Sequence, residues 1–67
     1  MSDYYEIIKN RRKFLKISQI ELADIAGISR RSLQEIESGK SNPGINQLAK
    51  ILEVLGLEMK IEVKIKS

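Results

Sequence analysis

Hydrophobic residues recur with a helical period over most of the chain and with a period of two at its end. Four stretches carry apolar residues three or four positions apart, which predicts amphipathic helices. These helices cover residues 4–16, 19–26, 30–38 and 45–55. In the first helix, the apolar residues expected to face the core are Tyr4, Ile7, Ile8, Phe14 and Leu15. After Gly56, apolar and charged residues alternate, which predicts a β-strand with one apolar face.

Capping residues and glycines agree with these boundaries. Asp3 and Ser29 precede the first and third predicted helices as N-caps, and Ser18 with Glu21 forms a capping box before the second. Gly44 precedes the fourth helix and is a weaker cap than Ser or Thr. The last three helices end at glycines, which adopt positive φ at little cost: Gly27, Gly39 and Gly56.

The terminal strand has no second strand in the chain to pair with, and a second copy of the chain can supply one. Two copies would pair antiparallel about a two-fold axis, with the apolar face of the ribbon on the helices. The alternative is a frayed tail, which would leave five apolar side chains in water. We therefore expect one domain, with a helical part at residues 1–56 and a dimerisation strand at residues 57–67. The expected dimerisation residues are Leu57, Met59, Ile61, Val63 and Ile65.

Composition narrows the classes of function. The chain has 67 residues and contains neither Cys nor His, which excludes disulfides, zinc fingers, Fe–S clusters and catalysis by Cys or His. It has no Gly-rich phosphate loop and no evident carboxylate pair, so we expect neither an enzyme nor a cofactor or metal. No apolar run reaches the roughly 20 residues of a membrane span, and the N-terminus lacks a signal peptide, so we expect a cytoplasmic protein. The net charge of +3 permits an anionic partner.

Residues 19–38 have the pattern of two short helices that meet at a steep angle. Ala23 is small where the two helices would cross, and Gly27 allows the chain to reverse within about three residues. This is the helix-turn-helix arrangement, in which the second helix enters the major groove of DNA.

Two runs, SQIELADIAGISRRSLQEIESGKSNP and INQLAKILEVLGL, resemble the lambda-repressor/Cro/Xre family of DNA-binding domains. The resemblance covers roughly fifty residues, from about residue 8 to residue 57. The alternation after LGL is similar to that of small HipB-like antitoxins, whose dimers share an intermolecular β-ribbon. The resemblance implies a mostly α fold: a four-to-five-helix helix-turn-helix domain with a C-terminal β-strand that pairs across a homodimer.

The family pattern also implies which residues bind DNA. Gln19 matches a phosphate-contacting residue that braces the recognition helix, and the groove-facing and loop positions are Ser29, Arg30, Arg31, Ser32, Glu35, Lys40 and Asn42. Arg can donate two hydrogen bonds to guanine, and Glu can accept one from cytosine. For Arg30 and Arg31 the alternative is a solvated helix face. Glu35 has three interpretations: a base reader, a partner of Arg31 one turn earlier, or a filter against wrong sequences. Gln34 is expected to point sideways.

Arg12 and Glu37 match a pair that forms a buried or half-buried salt bridge in this family. We therefore assign this pair to the structure of the domain and not to DNA contact.

The resulting hypothesis is a sequence-specific transcriptional repressor that binds double-stranded DNA as a homodimer on an inverted repeat. Within it we favour an autoregulating antitoxin, which would also bind a cognate toxin in the cytoplasm and the nucleoid of a prokaryote. The alternatives are a phage-type or restriction-modification controller, or a protein-interaction module without DNA function. We expect no membrane partner and no small-molecule effector, since one small domain leaves no room for an effector site.

Overall fold

The computed structural model describes residues 3–64, which form four α-helices. They are α1 (Tyr4–Phe14), α2 (Gln19–Ala26), α3 (Arg30–Glu37) and α4 (Ile45–Leu55). The bounds of α2 and α4 agree with the prediction, whereas α1 ends two residues earlier and α3 one residue earlier than predicted. Within residues 3–64, no helix has the length and apolar character needed to cross a membrane.

The helix starts differ in how well they are capped. Ser18 and Glu21 form the predicted capping box, in which the Glu21 amide donates to Ser18 Oγ at 3.0 Å and the Ser18 amide donates to Glu21 Oε1 at 2.9 Å. The prediction for Asp3 is wrong in one respect, because its side chain makes no cap hydrogen bond to α1. Asp3 Oδ2 instead accepts a hydrogen bond from the Tyr5 hydroxyl at 2.8 Å, and this bond raises the pKa of Tyr5.

All four helices end in the same backbone motif. The residue after the last turn has a positive φ, and the amide of the next residue donates back to a carbonyl five residues earlier. Glycine occupies the positive-φ position after α2, α3 and α4. After α1 the position is held by Lys16, the non-glycine residue with positive φ, at 60°. A Cβ at this φ contacts the following carbonyl, so Lys16 carries a local strain that the glycines avoid.

Every helix contributes to one apolar core. The buried apolar residues are Ile8, Leu22, Ala23, Ala26, Leu33, Ile36, Ile51 and Leu55. α2 packs against both α3 and α4, and α1 closes the other side of these two helices.

The predicted core face of α1 is largely wrong. Of its five apolar residues, Ile8 is fully buried, whereas Tyr4, Ile7, Phe14 and Leu15 are exposed by 38–73%. α1 contacts α3 and α4 through the narrower strip that contains Ile8 and Arg12. The outer apolar side chains of α1 therefore remain at the surface of the single chain.

The predicted C-terminal β-strand is not formed within the described chain. Residues 57–64 carry no regular secondary structure, because a strand requires a hydrogen-bonded neighbour and residues 3–64 offer none. Leu57 packs against the core, but Ile61 and Val63 are 91% and 90% exposed. Ile65, the fifth expected dimerisation residue, lies outside the described residues.

Candidate nucleic-acid interface

One side of α3 is buried and the other forms a continuous exposed stripe. Leu33, Ile36 and Glu37 face the interior. The stripe, which we call the outer face of α3, consists of Arg30, Arg31, Gln34, Glu35 and the C-cap residue Ser38. Its residues are one, three or four positions apart, as the helical period requires for one surface. The outer face therefore presents cationic, amide, carboxylate and hydroxyl groups on one short helix.

Two serines order the start of α3. Ser29 Oγ accepts a hydrogen bond from the Ser32 amide at 3.0 Å and donates its own proton to Ser32 Oγ at 2.8 Å. Arg30 and Arg31 follow directly as the first two residues of the helix. The amide end of a helix dipole is positive, so two cations there are unfavourable until an anion lies in front of them.

Arg31 and Glu35 are neighbours on the outer face. Arg31 Nε lies 3.7 Å from Glu35 Oε1, a spacing of one helical turn, and their side chains are 89% and 47% exposed. Of the three interpretations of Glu35, this contact corresponds to the intrahelical partner of Arg31. The distance is that of an ion pair and is too long for a hydrogen bond.

Gln34, which was predicted to point sideways, lies at the edge of this surface. It is exposed, and it lines a shallow depression together with Arg31, Glu35, Ser38 and Lys40. It directly follows the buried Leu33, so at about 3.6 residues per turn its side chain lies on the flank of α3. An amide in this position can pair with both hydrogen-bonding groups of adenine.

The loop after α3 carries the other expected DNA contacts, Lys40 and Asn42, and both are exposed. The Lys40 amide donates to the Glu35 carbonyl at 3.0 Å, which fixes the start of the loop on the end of α3. The ring of Tyr5 packs on Gly39, where a Cβ would lie 2.9 Å from the ring. Glycine is thus favoured at this position by its positive φ, which the sequence indicated, and by the close approach of the ring, which the sequence did not indicate.

Gln19 is half-buried at the first position of α2 and contacts α3. Its Nε2 donates to Glu37 Oε1 at 3.0 Å. The second proton on Nε2 remains as a donor for a phosphate at the surface. Gln19 is therefore joined to the last residue of α3, and its contact with a phosphate stays a prediction from the resemblance.

Arg12 and Glu37, for which the resemblance implied a salt bridge, form the centre of a buried network. Arg12 Nε and Nη2 donate to the two carboxylate oxygens of Glu37 at 2.8 and 3.0 Å, and Nη1 donates to the Ile17 carbonyl at 2.9 Å. Within residues 3–64, every buried side-chain nitrogen and oxygen has a hydrogen-bond partner. This network joins α1, α2 and the last residue of α3, so it fixes the orientation of α3 relative to the other two helices.

Two of the expected dimerisation residues lie on a different surface. Leu57 and Met59 line an apolar groove together with residues of α1 and α4, namely Tyr4, Ile7, Leu48 and Leu52. This groove shares no residue with the outer face of α3. The structure thus separates the basic surface from the exposed apolar surface.

Comparison with known proteins assigns the fold to a family and gives two phage relatives. Residues 8–61 match the helix-turn-helix family. The chain is 36% identical over 52 residues to the "Immunity repressor protein" of Bacillus phage phi105, an alignment that covers 78% of this chain and 36% of that protein. It is 33% identical over 55 residues to the "ImmF control region 10 kDa protein" of the same phage, covering 82% of this chain and 61% of the relative. The chain thus spans less than two thirds of the length of either relative.

Proposed function

The chain belongs to the helix-turn-helix family of lambda-repressor/Cro/Xre type, a family of DNA-binding domains, and we propose that it is a non-enzymatic, sequence-specific transcriptional repressor. The observation that carries this proposal is the outer face of α3, which is exposed along its length and begins with two arginines. The buried network behind α3 supports the proposal, because a helix that reads bases must be held in one orientation.

In this proposal each surface residue has a chemical role. Arg30 and Arg31 donate to guanine O6 and N7 in the major groove. Ser29 and Ser32 order the first turn of α3, whose amides face a phosphate. The phosphate contacts that position the domain come from Gln19, Lys40 and Asn42.

We propose further that two copies act together on an inverted repeat. Residues 1–56 form the DNA-binding part and residues 57–67 the dimerisation segment. Supporting this, Ile61 and Val63 are almost fully exposed in the single chain, and they follow within four residues of Met59, which lines the apolar groove. Association of two copies would remove this apolar surface from water and provide each segment with a strand partner.

Two kinds of regulator are proposed, a phage-type controller and an autoregulating antitoxin. The names of the two relatives, an immunity repressor and a control-region protein, favour the phage-type controller. The proposal of an autoregulating antitoxin rests on the alternation of apolar and charged residues after Gly56. Co-purification of a toxin encoded by a neighbouring gene would favour the antitoxin. Operator binding without any co-purified toxin would favour the phage-type controller.

The proposed function is tested by selecting binding sites from a pool of random DNA duplexes with the full chain. We expect enrichment of an inverted repeat whose half-sites are centred about 10–10.5 base pairs, or a multiple of this, apart. The double variant Arg30→Ala/Arg31→Ala should lose the enrichment. Lys13→Ala/Lys50→Ala removes the same amount of positive charge from exposed positions on α1 and α4 and should retain it. Equal binding to all duplexes, abolished by salt, would contradict the proposal, because it indicates phosphate attraction alone.

A further inference from the structure

We propose that Glu35 determines the sequence preference of α3 indirectly, by holding the guanidinium of Arg31 in the orientation that reads guanine. This inference rests on the proposed DNA-binding function and assigns Glu35 as a positioning residue. It differs from direct base reading, in which the Glu35 carboxylate would accept a hydrogen bond from cytosine.

The geometry of the pair leaves the reading edge of Arg31 available. The contact of 3.7 Å joins Glu35 Oε1 to Arg31 Nε, so the carboxylate lies beside the Nε edge of the guanidinium. Guanine recognition requires two parallel N–H donors, which the terminal Nη1 and Nη2 groups provide. The Arg31 side chain is 89% exposed, so most of its donors are open to a ligand, whereas the Glu35 side chain is 47% exposed.

The strength of the attraction between Arg31 and Glu35 depends on how much water surrounds the pair. In the free protein an exposed ion pair stabilises little, because water screens it and both side chains lose rotamer freedom. In a major groove much of this water is excluded, and the attraction between the two charges increases. An Arg31 side chain that is already restrained on one edge then loses less freedom when it meets a base.

The surroundings of Glu35 also favour an indirect role. Its neighbours in the depression on the outer face are Arg31, Gln34, Ser38 and Lys40, which bring no second carboxylate. DNA phosphates repel an unpaired carboxylate, and the charge of Arg31 offsets this repulsion at close range. Arg31, the ion-pair partner of Glu35 on the same helix, therefore lowers the cost of bringing the Glu35 carboxylate to the DNA.

A double-mutant cycle tests the inference. Wild type, Glu35→Gln, Arg31→Ala and the double variant are titrated with the selected operator, with operators changed at each base pair, and with random duplex. We expect Glu35→Gln to lower the preference for guanine about 3–10-fold at the base pair that depends on Arg31. Binding to random duplex should rise, since a negative charge is lost. In the Arg31→Ala background, Glu35→Gln should change no base preference.

The matched control is Glu53→Gln, which removes the same charge from an exposed position on α4 and should leave every preference unchanged. If Glu35→Gln alters preference at another base pair and does so without Arg31, Glu35 reads a base directly and the inference is overturned. An equal rise in affinity for every duplex also overturns it, because the pair is then a solvated surface contact. If the wild-type protein selects no DNA sequence, both the proposed function and this inference are wrong. If it selects a sequence but the effects of Glu35→Gln and Arg31→Ala on base preference are additive, only this inference is wrong.

Discussion

Glu37, the last residue of α3, receives two hydrogen bonds from Arg12 of α1 inside the protein, at 2.8 and 3.0 Å. The two side chains are only 2% and 11% exposed. The pair fixes the end of α3 to α1 while the opposite side of α3 remains exposed. One buried ion pair thus connects the stability of the fold to the orientation of α3.

Removing one partner of this pair should strongly destabilise the fold. Glu37→Ala leaves the Arg12 charge buried without an acid, and we expect the free energy of unfolding to fall by about 3–5 kcal/mol. Urea unfolding followed by circular dichroism measures this change. Glu53→Ala, at an exposed position of α4, should stay within about 0.5 kcal/mol of wild type. If Glu37→Ala and Glu53→Ala lower the free energy of unfolding by similar amounts, the buried pair does not stabilise the fold more than an exposed residue does.

The strained end of α1 offers a stabilising substitution. Lys16→Gly should raise the free energy of unfolding by about 1 kcal/mol, because glycine adopts a φ of 60° without the clash of a Cβ. Lys13→Gly, three residues earlier inside α1, should lower it by about 1 kcal/mol, because glycine is a poor helix former. Thermal unfolding distinguishes these opposite signs, and a loss of stability in both variants would contradict the prediction.

The capping box makes stability depend on pH in the acidic range. Hydrogen bonds from the Ser18 amide and hydroxyl lower the pKa of Glu21, so the folded state favours the ionised carboxylate. The ionised Glu21 side chain stabilises the folded state fully above the ordinary Glu pKa of about 4.3. This stabilisation is lost as the pH falls through the lower pKa of Glu21 in the folded state. Glu21→Gln keeps a capping amide but cannot titrate. Between pH 6 and pH 3 the urea midpoint of wild type should therefore fall further than that of Glu21→Gln, and parallel curves would exclude this role.

Loop and helix residues should affect DNA binding in different ways. Lys40→Ala should weaken binding to every duplex and reduce the slope of log affinity against log salt by about one. Arg30→Ala should weaken binding to the selected operator by about 1–3 kcal/mol and relax the choice of base at one position. Fluorescence anisotropy at several salt concentrations measures both effects. Identical behaviour of the two variants would mean that both residues contact only the backbone.

The dimerisation segment can be tested with two variants of equal charge. Ile61→Lys/Val63→Lys and Glu62→Lys each raise the net charge by two within the same segment. If the apolar residues join two copies, the first variant should sediment as a monomer and the second as a dimer. A dimer in both cases would move the interface to the helices, for which the exposed residues Ile7 and Phe14 of α1 are the first candidates.

Local signals in the sequence predicted the helices well. The Ser18–Glu21 capping box and the glycines after α2 and α4 act over a few residues, so they set these boundaries without reference to the rest of the chain. The helical period also separated Leu33 and Ile36 from the exposed side of α3. These features depend on spacing alone.

Other features depend on which elements lie next to one another. The period of α1 could not show that Tyr4 and Phe14 would stay exposed, because burial requires a neighbouring surface. The alternation after Gly56 indicated a strand, but residues 3–64 contain no strand that could pair with it.

By itself, the sequence determined the helix-turn-helix class, the α2 and α4 boundaries and the basic start of α3, because these follow from local spacing and residue type. Only the tertiary structure decided that Glu37 would bind both Arg12 and Gln19 and that Tyr5 would pack on Gly39. Hydrogen bonds and packing contacts form between atoms brought together by the whole fold. Their partners are therefore set by the packing of the helices and not by distance along the chain.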